Sequence, residues 1–338
     1  MRILLSMLLL LPACLVALDP AKPSPTKADE PLAKAFSAQK AADFLDGASL
    51  AWTRERRCVT CHTNVPYMLA RPRIAAGNAI AIEEIRRFLE KRVSHWEREA
   101  PNSDYDVFAA AMALAAHDSA TTNKLHPATK TALDRSWTLQ KEDGSFVWPK
   151  CAWPPMEHDD YYGVVFVALA AGMAPEEYKK QEAAAKGLAK IRTWLASHPA
   201  PDLHHRAMLL WTSTKIDGIL TDENKRLARV TIRDAQAADG SWNLPSLGRY
   251  VRRDGSANDP KGPGDGYATG LCAYILRESG VASDDPALKK AVAWLLANQR
   301  ESGRWFTRSV SNDKAHYITN AGSAYAVLAL SACGVKLD

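Results

Sequence analysis

Two kinds of apolar segment alternate along the chain. In the first kind Ala, Gly, Leu and Val cover most faces: "DYDVFAAAMALAAH" (104–117), "DYYGVVFVALAAG" (160–172), "HHRAMLLWTST" (204–214), "GYATGLCAYIL" (266–276) and "TNAGSAYAVLALSACG" (319–334). In the second kind, such as "EEIRRFLEKRVSHW" (83–96) and "ALKKAVAWLLANQ" (287–299), charge runs along one face. A helix that is apolar all round is buried on every side, whereas an amphipathic one lies outside. The spacing predicts outer helices near 34–52, 80–97, 127–140, 176–197, 222–237 and 286–300, and inner helices starting near 62, 104, 160, 204, 266 and 318. Helix pairs that cannot bury their apolar faces alone are satisfied by closing into a ring with the inner helices parallel. The expected fold is therefore all-α, an (α/α)6 toroid over residues 34–338, and no segment shows strand alternation.

A repeat supports this reading. Gln, three residues, Gly, one residue and an aromatic recur as Gln140/Gly144/Phe146, Gln236/Gly240/Trp242 and Gln299/Gly303/Trp305, each closing a helical run at a glycine turn. The pattern resembles the repeat of the squalene-hopene cyclase and prenyltransferase superfamily, whose members are toroids of this type. "EHDDYYGVVFVALA" (157–170) is similar to the D-x-D-D-T element of squalene-hopene cyclases. Matched residue by residue, Glu157 takes the place of the first acid, Asp159 that of the proton donor and Asp160 that of the next, while Tyr161 replaces the threonine. The resemblance implies an acid-catalysed terpenoid cyclase or isomerase, with Trp148 and Trp153 facing a carbocation. Two points oppose it. The chain is too short for the second barrel that keeps water from the cation in polycyclic cyclases, and a solvated mouth gives Asp159 no means of staying protonated. Asp104, Asp159, Asp202 and Asp265 also stand where a helix N-cap is needed, which alone accounts for their positions.

"RRCVTCHTN" (56–64) contains C-x-x-C-H. In that pattern Cys58 and Cys61 attach one covalent haem c and His62 ligates its iron. A disulfide, a redox dithiol or zinc would also suit these residue types, but no second ligand pair stands at short spacing, and the haem reading leads. Parallel inner helices place Cys58, Cys61 and His62 at the same mouth as Asp104, residues 157–160, His204, Asp265 and Asn320. The long connections 140–160, 237–265 and 300–318 cross that mouth too. Met156, His158, His204, His205 and His316 are the candidates for a sixth iron ligand.

The N-terminal "MRILLSMLLLLPACLVALDP" has the layout of a secretory signal peptide (1–17), which places the protein outside the cytoplasm, periplasmic or secreted. A lipid anchor at Cys14 is the rival. "AKPSPTKADEP" extends a Pro-rich, polar stretch expected to be a flexible tether (18–33). The net charge of +5, from 43 basic and 38 acidic residues with no basic block, points away from nucleic acid. No other segment is apolar enough to span a bilayer.

The expectation is thus an exported c-type haem protein in electron transfer or redox chemistry at the mouth of a toroid, with a redox partner protein or a hydrophobic small-molecule ligand. The alternatives are the Asp159 cyclase and a non-catalytic lipid- or saccharide-binding module. Trp52 reads as core or inter-helix packing, and Arg249, Arg252 and Arg253 read as a solvated run.

Overall fold

The computed structural model describes residues 19–75, 79–96, 103–150 and 153–338. The segment expected to be a signal peptide (1–17), Cys14 and Cys151 lie outside the described residues. Outer and inner helices alternate: α1 (Ala38–Arg56) and α2 (Asn64–Ala70), α3 (Ala79–Ser94) and α4 (Ser103–Thr121), α5 (Pro127–Thr138) and α6 (Tyr161–Met173), α7 (Glu182–Ser197) and α8 (Leu203–Lys215). After α9 (Asp222–Asp234), a one-turn helix α10 (Leu244–Leu247) interrupts the long connection to α11 (Gly266–Glu278), and α12 (Pro286–Ala297) precedes α13 (Ile318–Ala332). Among the described residues the only β-type pairings are two isolated bridges, Leu32 with Arg300 and Trp153 with Glu157.

The ring closes. Each inner helix touches the next in the order α2, α4, α6, α8, α11, α13, and α13 returns to α2. Outer helices sit over the joints: α1 touches α2 and α13, α5 touches α4 and α6, and α12 touches α11 and α13. The protein is an α/α toroid. Its inner helices are buried along nearly their whole length, as segments without a polar face must be. Small residues let them approach: a Cβ on Gly270 of α11 would stand 2.5 Å from the backbone nitrogen of Ala326 in α13. Aromatic side chains fill the centre, with Trp211 against Tyr274 and Tyr325, and Tyr267 against Tyr325.

The repeat is a clamp between neighbouring outer helices. Gln140 Nε2 donates to the carbonyls of Gly144 (3.1 Å) and Gly187 (3.0 Å), and Gln236 Nε2 to those of Gly240 (2.8 Å) and Ala287 (2.9 Å). Gln299 Nε2 donates to Gly303 (3.1 Å) and to Ser37 (3.0 Å), whose N–H donates back to Gln299 Oε1 (2.7 Å). Each copy ties its own turn to the start of the following outer helix, and the last grips α1. The turn glycines have φ near +90°, and a Cβ on Gly303 would fall 2.0 Å from the Lys40 carbonyl oxygen. The aromatic position seals the joint: Trp242 Nε1 and Trp305 Nε1 each donate to a carbonyl of the preceding outer helix.

Residues 19–33, expected as a flexible tether, run instead along the end of the ring. Lys22 pairs with Glu55 (2.7 Å), Asp19 with Arg54 (3.0 Å) and Glu30 with the buried Arg304 (3.1 Å), which also donates to Ser24 and Thr26. The polar composition that suggested solvation supplies the ion pairs that hold the segment down.

Candidate functional site

The inner-helix N-termini converge at one mouth, where Cys61 N–H donates to Tyr105 Oη (2.8 Å) and Asn320 Nδ2 to Thr63 Oγ1 (3.1 Å). The capping expectation holds for two acids: Asp202 accepts from His205 N–H and Asp265 from Ala268 N–H, both at 2.9 Å. The loop carrying C-x-x-C-H is pinned through the Cys58 carbonyl, which accepts from Trp52 Nε1 (3.1 Å) and Asn64 Nδ2 (3.0 Å).

Within that loop the thiol of Cys61 points inward and donates to Glu157 Oε1 (3.1 Å), which Tyr105 Oη also approaches (3.3 Å). Burial, helped by the neighbouring carboxylate, pushes the Cys61 thiol well above its ordinary range, and burial also raises Glu157. Cys61 and Tyr105 keep their protons, and burial favours the protonated form of Glu157. His62 lies between aromatic rings, edge-on to Trp52 at 4.6 Å and stacked with Tyr317 at 5.8 Å, with Nδ1 on Thr63 Oγ1 (2.7 Å). Burial lowers it to about 4, so it is neutral at pH 7.

The matched acids part company. Glu157 faces Cys61, Asp160 takes Lys150 (3.1 Å), and Asp159 joins a histidine cluster. Asp159 Oδ2 accepts from His205 Nε2 (2.9 Å) and stands 3.0 Å from His158 Nε2, while Oδ1 accepts from Tyr161 N–H (2.9 Å). The other nitrogen of His205, Nδ1, meets Asp202 Oδ1 at 2.6 Å. Burial alone would lower His205, but hydrogen bonds to Asp159 and Asp202 outweigh it and lift the ring to about 8. Burial would raise Asp159 and Asp202 in turn, yet the His205 contacts hold both below the usual carboxylate range. Behind them His204 bridges Tyr162 Oη (2.7 Å) and Tyr267 Oη (2.8 Å), and burial lowers it to about 3.

Of the hollows that open at the mouth, two involve the aromatic residues around His62. One of only about 20 Å³ lies between Cys61, His62, Met156, the Trp153–Pro155 turn and Tyr317. The other, about 320 Å³, is bounded by Lys22–Thr26 from the N-terminal segment, Trp52, Glu55 and Arg56 of α1, and Lys314, His316, Tyr317 and Asn320. Arg56 ties its aromatic wall together, 5.9 Å from the Trp52 ring and donating to Tyr317 Oη (3.3 Å).

These placements correct several expectations. Of the proposed sixth ligands, Met156 alone lines the small hollow beside Cys61 and His62. His158 and His205 are engaged with Asp159, His204 lies between two tyrosines, and His316 accepts from Ser309 N–H (3.1 Å). Arg252 is 1 % exposed rather than solvated, paired with Asp313 (2.7 Å) and donating to the Ser309 carbonyl. Trp52, expected in core or inter-helix packing, is half-buried on a pocket wall.

No family model matches the chain, and no curated protein does. Among solved structures it is similar to a polysaccharide lyase, at 11% identity and a TM-score of 0.49, covering 88% of this chain and 96% of that one. The reading as a c-type haem protein in electron transfer is corrected. The residues at the motif do not fit the cofactor. Pockets for ligands of cofactor size take about 300–1,000 Å³, the hollow at the motif has about 20 Å³, and one of the two thiols is turned away to Glu157.

Proposed function

We propose that the protein binds a saccharide in the 320 Å³ pocket at the mouth of the ring. The lining of that pocket carries the reading: the aromatic faces of Trp52 and Tyr317 stand among polar groups of both charges, the combination that takes up the apolar faces and the hydroxyls of a sugar ring. A lipid tail finds no apolar hollow there, since Lys22, Glu55, Arg56, Arg304 and Lys314 all reach the lining. Basic groups outnumber acidic ones, which favours a saccharide bearing carboxylates. The proton-donor role implied for Asp159 lacks support, because its partners hold it ionised. A relation to squalene-hopene cyclases and prenyltransferases is proposed for the repeat alone.

Calorimetric titration with neutral and uronate-containing oligosaccharides tests this. The acidic series is expected to bind, Tyr317→Ala to weaken it by about thirtyfold, the loss of a central anchor worth about 2 kcal/mol, and Lys314→Glu to flatten its salt dependence. Failure of both series to bind, or unchanged affinity in Tyr317→Ala, refutes the proposal.

A further inference from the structure

The histidine cluster is separate from the saccharide pocket, and its chemistry is independent of what that pocket holds. Three side chains from the mouth end of two adjacent inner helices aim at one point: His158 and Asp159 just before α6, and His205 in the first turn of α8. One ligand atom from each lies within 4.8 Å of the others. We propose that His158 Nε2, Asp159 Oδ2 and His205 Nε2 form a binding site for one divalent transition metal ion of the zinc class, with Asp202 as the residue that positions His205.

Four observations support it. The donor set of two imidazoles and a carboxylate is one that zinc takes when three protein ligands leave a further position open. The spacing is right: with metal–ligand bonds of about 2.0–2.1 Å, ligand atoms around a tetrahedral ion stand about 3.3 Å apart. Here two of the pairs are 2.9 and 3.0 Å apart and the third lies within 4.8 Å, so small side-chain shifts admit the ion. Asp202 Oδ1, 2.6 Å from His205 Nδ1, takes the proton of that nitrogen and turns Nε2 toward Asp159, the carboxylate–histidine–metal relation that orients ligating imidazoles. Finally, the ion pairs of Asp159 and Asp202 are to histidine rather than to lysine or arginine, so two carboxylates converge on one buried imidazole, a charge excess that a dication neutralises. His205 is buried, but His158 and Asp159 keep 30% and 34% of their side chains exposed, which gives the ion its way in and leaves the open position facing the mouth.

Metal entry displaces the proton that His205 Nε2 shares with Asp159, and that proton leaves to solvent. The proton on Nδ1 stays hydrogen-bonded to Asp202.

The test uses the full chain, stripped with a chelator and titrated with ZnCl2 against a chromophoric competitor, with CoCl2 as a spectroscopic probe. The wild type is expected to bind one equivalent, and Co2+ to give visible ligand-field bands. His158→Ala, a change at a half-exposed position, is expected to abolish the stoichiometric step. Asp202→Asn keeps a helix-capping side chain and is expected to weaken binding by about 10–100-fold. A Cys58→Ser/Cys61→Ser chain is expected to bind as the wild type does. Absence of stoichiometric binding in the wild type overturns the proposal, as does binding that survives His158→Ala and disappears with the cysteines.

Discussion

Replacing Gly303 by alanine tests the clamp at its tightest point. Two costs add. The residue has φ +92°, where an L side chain costs about 1–2 kcal/mol. The new Cβ would also stand 2.0 Å from the Lys40 carbonyl oxygen and 2.3 Å from its carbon. That obstacle is backbone and cannot rotate aside, and overpacking of this kind costs about 1–3 kcal/mol more. The sum is about 2–5 kcal/mol, which at about 2 °C per kcal/mol for a large chain lowers Tm by about 4–10 °C. Gly255→Ala supplies the internal control: φ is +76° but nothing lies within 4 Å, so the backbone cost alone remains. In Gly144→Ala and Gly240→Ala the nearest atoms of Lys190 and Lys290 stand at 2.6 Å, which places both between those limits. Differential scanning calorimetry of the four variants reads the order directly. Equal losses at Gly303 and Gly255 would show that the turn does not bear on α1, and the clamp would fall with that result.

Gln299→Ala removes three hydrogen bonds from a residue 1% exposed and is expected to cost about 1–3 kcal/mol in urea melts, the larger share from the unsatisfied Ser37 groups. Asp46→Ala strands Arg71, whose buried guanidinium it meets at 2.7 Å, and is expected to cost about 3–5 kcal/mol; a loss under about 1 kcal/mol in the same melts would contradict the burial of that pair. His62 and His204 titrate near 4 and 3 when folded and near 6.5 when unfolded, so the unfolded chain binds more protons below pH 6.5 and stability falls as pH drops from there toward 3. Proton NMR that finds the His62 ring titrating at its ordinary pH would refute its burial between Trp52 and Tyr317. Iodoacetamide at pH 8 is expected to leave Cys61 unmodified in the native protein, by mass spectrometry, and to modify it on unfolding.

The ring was legible because its signals are local. Apolar character on all faces marks an inner helix whatever its neighbours, and the predicted starts at 104, 160, 204, 266 and 318 fall within one residue of the observed ones. The Gln–Gly–aromatic repeat announced a turn, although its second function, holding the next outer helix, appears only when Gln140 is seen beside Gly187 and Gln299 beside Ser37. The site was less legible because its partners are remote in sequence. Cys61 and Glu157 are 96 residues apart, and that single contact turns the thiol inward. His205 and Asp159 are 46 apart, so the spacing within "EHDDYY" gave no hint that Asp159 would turn from its neighbours to α8. Trp52 sits on an amphipathic helix like any core residue, and its place on a pocket wall follows from Lys22–Thr26 folding back, which Pro-rich polar composition argued against.

The grip of Gln299 on Ser37 joins residues 262 positions apart and is the seam at which the circle shuts. During synthesis, at about 5–20 residues per second, α1 leaves the ribosome between about 13 and 52 s before its clasp has been made. Until then the nascent chain is an open arc with two bare ends, the apolar flank of α1 on one and that of the newest inner helix on the other. Whatever shields those ends in the cell has to act for that interval, and its work finishes only once α13 has closed against α2.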